Sequence, residues 1–178
     1  SLMPYYSVSG SNYSRIIYDK IYDRLAYVQP DGTCLPRAAE KWESTEDGHA
    51  IVFTLNQKAA FHDGTPVTAK NYLYYTMVFS TLVASEAEGK DRQAGLTIVG
   101  FEEFNAYDGT NEGDGVSKTF TGLRLLADNQ FSVTVKPEYA NYYYAISYAG
   151  FSPFVKELWC GDFDIADDGE GCYFTDGF

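Results

Sequence analysis

A chain of 178 residues that is 45% hydrophobic and 21% charged can bury a real core, which suits one domain and excludes an extended disordered segment. Thirteen basic residues against 25 acidic ones give a formal charge of −12 with no Lys/Arg cluster, which excludes nucleic acid and anionic lipid as partners. The acidity reads as a solvated surface, with a cationic ligand or a cation site as the alternative. No stretch approaches the ~18 apolar residues that a membrane-spanning helix needs.

In chain order, residues 12–25 read as a helix, with Ile17, Ile21 and Leu25 on one face and Tyr18 and Tyr22 beside them. Pro30-Asp31-Gly32-Thr33 then breaks the chain in a turn. Residues 38–42 read as a short helical or irregular piece ending at Glu46-Asp47-Gly48. Ile51, Phe53 and Leu55 alternate with Val52, Thr54 and Asn56 as a half-buried strand. After a turn at residues 61–66, Thr68 is placed to cap a helix over residues 69–84. That helix carries Tyr72, Leu73, Tyr75, Met77, Phe79 and Leu82 around much of its circumference, so it is expected to be sandwiched between two layers.

A short helix is favoured over residues 101–104, followed by a Gly- and Asp-rich loop over 111–118. The clearest hairpin runs through 122–126, a turn at Asp128-Asn129, and 131–136, where Phe131, Val133 and Val135 alternate with polar residues. Residues 139–148 read as an aromatic helix and 151–159 as a second one opened by Pro153. From about 160 to 178 the pattern dissolves into an acidic, loop-rich tail. Helices and strands mix without a strand-helix-strand rhythm, so the fold class is α+β with mostly antiparallel strands in a single domain over 1–178.

Candidate chemistry is sparse. Asp-Gly-Thr occurs at Asp31, Asp63 and Asp108, but aspartic-protease signatures run Asp-Thr/Ser-Gly, so these read as turns. His49 and His62 lie in separate turns, with no Gly-x-Ser-x-Gly and no His-Glu-x-x-His, so no catalytic residue, metal ligand or cofactor site is assigned. The carboxylates Asp162, Asp164, Asp167, Asp168 and Glu170 miss the calcium-loop pattern, because the sixth position from Asp162 is Asp167 rather than Gly. They read as a solvated loop. Cys160 and Cys172 bracket a short segment that can close as a disulfide in an oxidising compartment and leave Cys34 over; three reduced thiols are the alternative. The compositional anomaly is aromatic: 16 Tyr, 12 Phe and two Trp. Most belong to the core, yet Tyr5-Tyr6 and Tyr142-Tyr143-Tyr144 put phenols on opposite faces of their elements, and such phenols suit a binding surface.

The order of these segments resembles a known family. Ile21-Tyr22-Asp23-Arg24-Leu25, Pro30-Asp31-Gly32-Thr33 and the run from Leu35-Pro36 to Trp42-Glu43 resemble the opening of the family 5 extracellular solute-binding proteins, the oligopeptide- and dipeptide-binding proteins. Phe53-Thr54-Leu55 followed by Phe61-His62-Asp63-Gly64-Thr65-Pro66-Val67-Thr68-Ala69-Lys70-Asn71 is the more specific block. The segment from Ile98 to Phe104, the hairpin, Tyr142 and Ser152-Pro153-Phe154-Val155-Lys156 continue the family's order. Asn56-Gln57 stands where an Arg usually ends the strand, and Asn71 replaces an acidic residue; both are scaffold positions.

The resemblance implies a part of lobe I of a two-lobed periplasmic-binding-protein type II fold, since family members are longer and close two lobes over the ligand. It implies an extracytoplasmic, non-enzymatic protein that captures a solute, an oligopeptide first, and delivers it to the permease subunits of an ABC transporter. A lipid anchor or the permease then supplies the only membrane contact. Tyr5 and Tyr6 are placed by the resemblance near the cleft between lobes. A nickel chelate or an oligosaccharide is the alternative solute; a carbohydrate hydrolase and a surface adhesin are the alternative classes.

Overall fold

The computed structural model describes residues 16–17, 20–45, 48–84, 94–111, 113–140, 153–155 and 162–175. A four-stranded antiparallel sheet forms the body, in the order β3 (Ala39–Ser44), β4 (Ala50–Leu55), β7 (Gln130–Thr134) and β6 (Leu123–Ala127). Ile51, Phe53 and Leu55 turn one face of β4 into the core, and the register sets Ile51 opposite Val133 and Phe53 opposite Phe131. The Phe53 and Phe131 rings stack with centroids 5.3 Å apart, the cross-strand contact that fixes this register. The opposite face carries Glu43, Val52, Ser132 and Arg124 in one row, of which Glu43 is exposed, Val52 and Arg124 are half-buried and Ser132 is buried, so this face is partly covered.

β3 corrects the helical or irregular reading of residues 38–42. Ala39 and Trp42 face Leu55 and Phe53, while Glu40, Lys41 and Glu43 line an exposed edge. An irregularity between Ala39 and Lys41 shifts the register, so the two-residue period that marks a strand is broken in the sequence. Charges on an edge strand also discourage pairing with another chain.

Helix α1 (Ala69–Val78) packs on the core face of this sheet. Tyr72 stacks on Phe131 at 5.9 Å, and Leu73, Tyr74, Thr76 and Met77 are buried around the rest of the circumference. At its start the Thr68 backbone N–H and hydroxyl both donate to Asn71 Oδ1, at 2.8 and 3.0 Å, so the amide does the work of the acid usual there. Ala69 N–H donates to the Asp128 carbonyl, which seats the helix on the β6–β7 turn. The helix ends at Val78 rather than at 84. Ser80 and Thr81 hydroxyls donate to the Thr76 and Val78 carbonyls, competing with the helical ladder, and only a short helical turn follows at 82–84.

Against α1 and the β6 edge of the main sheet lies a three-stranded antiparallel sheet, β5 (Thr119–Phe120), β9 (Cys172–Phe174) and β8 (Ile165–Asp167). The segment read as an acidic, loop-rich tail therefore contains a hairpin. Its inward side chains are aromatic: Phe163 and Phe174 meet edge to face at 4.8 Å, and Phe174 reaches Phe104 at 5.9 Å. Phe104 belongs to the short helix α2 (Phe101–Asn105) and stacks on Phe120 at 4.8 Å. The sandwiched position expected of α1 is thus the observed one, with Tyr74 touching Phe163 on one side and Tyr72 touching Phe131 on the other.

A two-stranded ribbon, β1 (Ala26–Val28) and β2 (Cys34–Pro36), precedes the main sheet. Its turn is the expected one: Gly32 takes φ 85°, and the Asp31 carboxylate accepts the Thr33 N–H at 2.9 Å. Of the helix read over 12–25, residues 12–15, 18 and 19 lie outside the described residues, and 16–17 and 20–21 are helical. Leu25 lies past its end, fully buried, whereas Ile17 and Ile21 are exposed, so these three do not share one buried face. The aromatic helix read over 139–148 and most of 151–159 fall outside the described residues, apart from 139–140 and 153–155. Pro153, Phe154 and Val155 carry no regular structure there, and Phe154 N–H donates to the Asn71 carbonyl at 2.9 Å.

Candidate functional site

Tyr5 and Tyr6, the residues placed at the cleft, lie outside the described residues, as does Cys160. What the structure does place is the acidic segment, and it shows what those carboxylates do. Asp164 accepts Lys70 Nζ at 2.7 Å, the Tyr74 hydroxyl and its neighbour Ile165 N–H, which fastens β8 to α1. Asp167 accepts Arg124 Nε and the guanidinium NH2 group at 2.8 and 3.0 Å, a two-pronged pair, together with the Leu125 and Gly169 N–H groups. Asp168 takes the Thr119 hydroxyl and the Glu170 and Gly171 N–H groups. The terminal hairpin is therefore fastened to α1, β6 and β5 by one aspartate each.

Burial pushes the Asp164 and Asp167 carboxyls up, but the hydrogen bonds from Lys70 and Tyr74, and from Arg124 and the amides, outweigh it and hold both below the usual carboxylate range. These groups are ionised and fully partnered at neutral pH, so they are neither general acids nor free to bind a cation. Among the described residues no group of three or more His, Cys, Asp and Glu side chains is placed to hold a metal ion.

Cys172 is buried against Asp167, with Sγ 4.0 Å from Oδ2. It is a free thiol here, and burial with the neighbouring carboxylate pushes it up to about 12. His49 sits half-buried in the β3–β4 turn, and His62 is exposed in the turn at 61–65. The three Asp-Gly-Thr sequences are all turns in which the Asp carboxylate accepts the Thr N–H two residues on. Sequence reasoning missed the roles of Asp164, Asp167 and Asp168. A run of acids and glycines looks solvated, and their partners Lys70, Tyr74, Arg124 and Thr119 stand about 40 to 95 residues earlier. Among the described residues no helix is long and apolar enough to cross a membrane.

Helix α1 thus lies between an open antiparallel sheet and a small aromatic-lined one, with Lys70 and Arg124 held by Asp164 and Asp167. The family model for bacterial extracellular solute-binding proteins, family 5, middle region, matches residues 33–170. The chain belongs to that family. Solved structures share the fold. The substrate-binding domain of an oligopeptide ABC transporter from Bacillus anthracis superposes with a TM-score of 0.60 at 19% identity, covering 89% of this chain and 32% of that one. Listeria monocytogenes OppA bound to peptide gives 0.59 at 17%, covering 89% and 33%. The Escherichia coli murein tripeptide binding protein MppA gives 0.60 at 20%, covering 88% and 29%. The chain thus spans about a third of the length of these structures. No curated protein matches it in sequence. The α+β, mostly antiparallel fold and the family expected from the sequence are both the observed ones.

Proposed function

We propose that this chain is part of the solute-binding component of an ABC importer, that its solute is an oligopeptide, and that it works outside the cytoplasm by capture and hand-over to a permease. The observation that carries the reading is the family match over residues 33–170. The family is a non-catalytic one, and we take this chain to be non-catalytic as well. The peptide names attached to several structural neighbours support the choice of solute. Tyr5 and Tyr6 are proposed ligand contacts, and a lipid anchor or the permease is the proposed membrane link.

The mechanics follow from area. A buried site hides ~70–90% of its ligand, which one open face does not achieve, so closure of a second lobe supplies the other wall. The 178-residue chain by itself is therefore expected to bind no peptide tighter than about millimolar, roughly −4 kcal/mol. Titration calorimetry with a mixed oligopeptide panel tests this, and a micromolar constant on this chain overturns the two-wall reading. In a two-lobed protein containing these residues, thermal shifts against oligopeptides, nickel chelates and oligosaccharides identify the solute class. A response to a chelate or sugar alone rejects the peptide. There, Tyr5→Ala and Tyr6→Ala are expected to cost about 1 kcal/mol or more of peptide affinity each.

A further inference from the structure

Seven Asp-Gly pairs occur in the chain, and five of them, at Asp31, Asp63, Asp108, Asp114 and Asp168, have both residues described. Asp-Gly is the pair most open to backbone rearrangement, because glycine leaves its own N–H unshielded. The Gly nitrogen attacks the Asp side-chain carbonyl carbon, a C–N bond forms, and the carboxyl C–OH bond breaks to release water. The five-membered imide then takes back one water at either carbonyl, returning aspartate or giving isoaspartate, with no oxidant and no other reactant.

Two conditions favour the attack: a carboxyl free to swing onto the next residue's nitrogen, and some population of the neutral acid from which hydroxide leaves as water. Four of the five pairs fail both. Asp31, Asp63 and Asp108 hold the N–H two residues on at 2.9 Å, one residue beyond the nitrogen that must attack. Asp108 also accepts the Asn111 N–H at 2.8 Å. Asp168 holds the Glu170 and Gly171 N–H groups. These same bonds keep all four carboxyls below the usual carboxylate range, which depletes the neutral acid.

Asp114 differs. It is exposed in the turn where Val116 N–H donates to the Gly113 carbonyl, and no hydrogen bond or ion pair to its carboxylate is made by a described residue. It lies six residues from Asp108 in the same loop, so the two share surroundings and differ in how the carboxylate is held. We infer that, among the five described pairs, Asp114-Gly115 is the spontaneous modification site, where isoaspartate forms in the folded chain while the other four Asp-Gly turns are protected by their own hydrogen bonds. Conversion adds a methylene to the main chain ahead of β5 and leaves the charge unchanged. The inference does not depend on the solute.

The test ages the folded 178-residue chain at 37 °C near pH 6.5, with a parallel sample unfolded in urea, and locates isoaspartate by electron-transfer fragmentation of proteolytic peptides. In the folded sample Asp114 is expected to convert several-fold faster than Asp31, Asp63, Asp108 or Asp168. In urea the five rates are expected to converge, since every pair has the same Asp-Gly chemistry. Equal rates in the folded sample overturn the inference. So does the same ranking in urea, which would place the cause in neighbouring sequence rather than in the held carboxylates. Gly115→Ala is expected to suppress conversion at 114 and leave the other four rates as they were.

Discussion

Gly122 stands where two segments cross with no room for a side chain. A Cβ placed on it would lie 2.4 Å from the Val99 carbonyl oxygen, 2.5 Å from Ile98 Cγ2 and 2.9 Å from Val99 N. Reaching an ordinary contact of 3.4 Å from that oxygen requires a separation larger by 3.4 − 2.4 = 1.0 Å. The neighbours cannot give way cheaply, because they are backbone already tied into a ladder. Gly122 N–H donates to Val99 O at 2.9 Å, Val99 N–H to Thr134 O at 3.0 Å, and Thr134 N–H to Gly122 O at 2.7 Å.

Gly122→Ala therefore forfeits two or three hydrogen bonds at about 1 kcal/mol each and adds overpacking of about 1–3 kcal/mol. We expect a loss of about 3–6 kcal/mol, a large share of the ~5–15 kcal/mol that holds a domain. At roughly 2–4 °C per kcal/mol for a chain of this size, Tm falls by roughly 6–24 °C. The control is Gly32→Ala, where the new Cβ meets nothing within 4 Å and only the left-handed backbone costs, about 1–2 kcal/mol. Urea denaturation followed by circular dichroism measures both. If Gly122→Ala unfolds at the same urea concentration as the parent, or later than Gly32→Ala, the crossing of 98–99 over 122 is not as described.

Asp167→Ala leaves the Arg124 guanidinium and the Leu125 N–H unpaired, at a cost of about 2–3 kcal/mol after allowing for the solvent around Arg124. Because the folded carboxyl lies below its unfolded value of about 3.9, this contribution is full above that pH and lost as pH falls through the folded value. The gap between parent and variant should thus close below about pH 4 in acid-denaturation curves; a gap constant down to pH 2 contradicts the ion pair. With its thiol pushed up to about 12, Cys172 has roughly one molecule in 10,000 as thiolate at pH 8 and should resist iodoacetamide under reducing conditions until the chain unfolds. The half-buried Cys34 should react first, and mass spectrometry of pulsed samples reports the order. Counting thiols in the unfolded, unreduced chain decides between a Cys160–Cys172 bridge and three reduced thiols: one thiol supports the bridge and three end it. Tyr72→Phe removes a buried hydroxyl that has no hydrogen-bond partner among the described residues and leaves the stack on Phe131. We expect a gain of about 1 kcal/mol in the same urea assay, and a loss shows the hydroxyl to be satisfied.

The sequence by itself determined the elements whose burial repeats at a regular period. Ile51, Phe53 and Leu55 mark β4 because a two-residue period exposes one face and hides the other, and the hairpin around Asp128-Asn129 is legible for the same reason. The all-round apolar α1 announces a helix covered on two sides, and the Asp-Gly-Thr turns follow from side-chain chemistry that acts within three residues. Tertiary structure decided the rest. β3 is a strand because Trp42 and Ala39 find Phe53 and Leu55 across the sheet, against a local sequence of helix formers with a broken period. The end of α1 at Val78 depends on where Ser80 and Thr81 aim their hydroxyls. Above all, the acidic run 162–170 carries no local sign of its purpose. Whether an aspartate is solvated or a fastener depends on which cation the fold brings to it, and Lys70 and Arg124 arrive only when the chain has closed over α1.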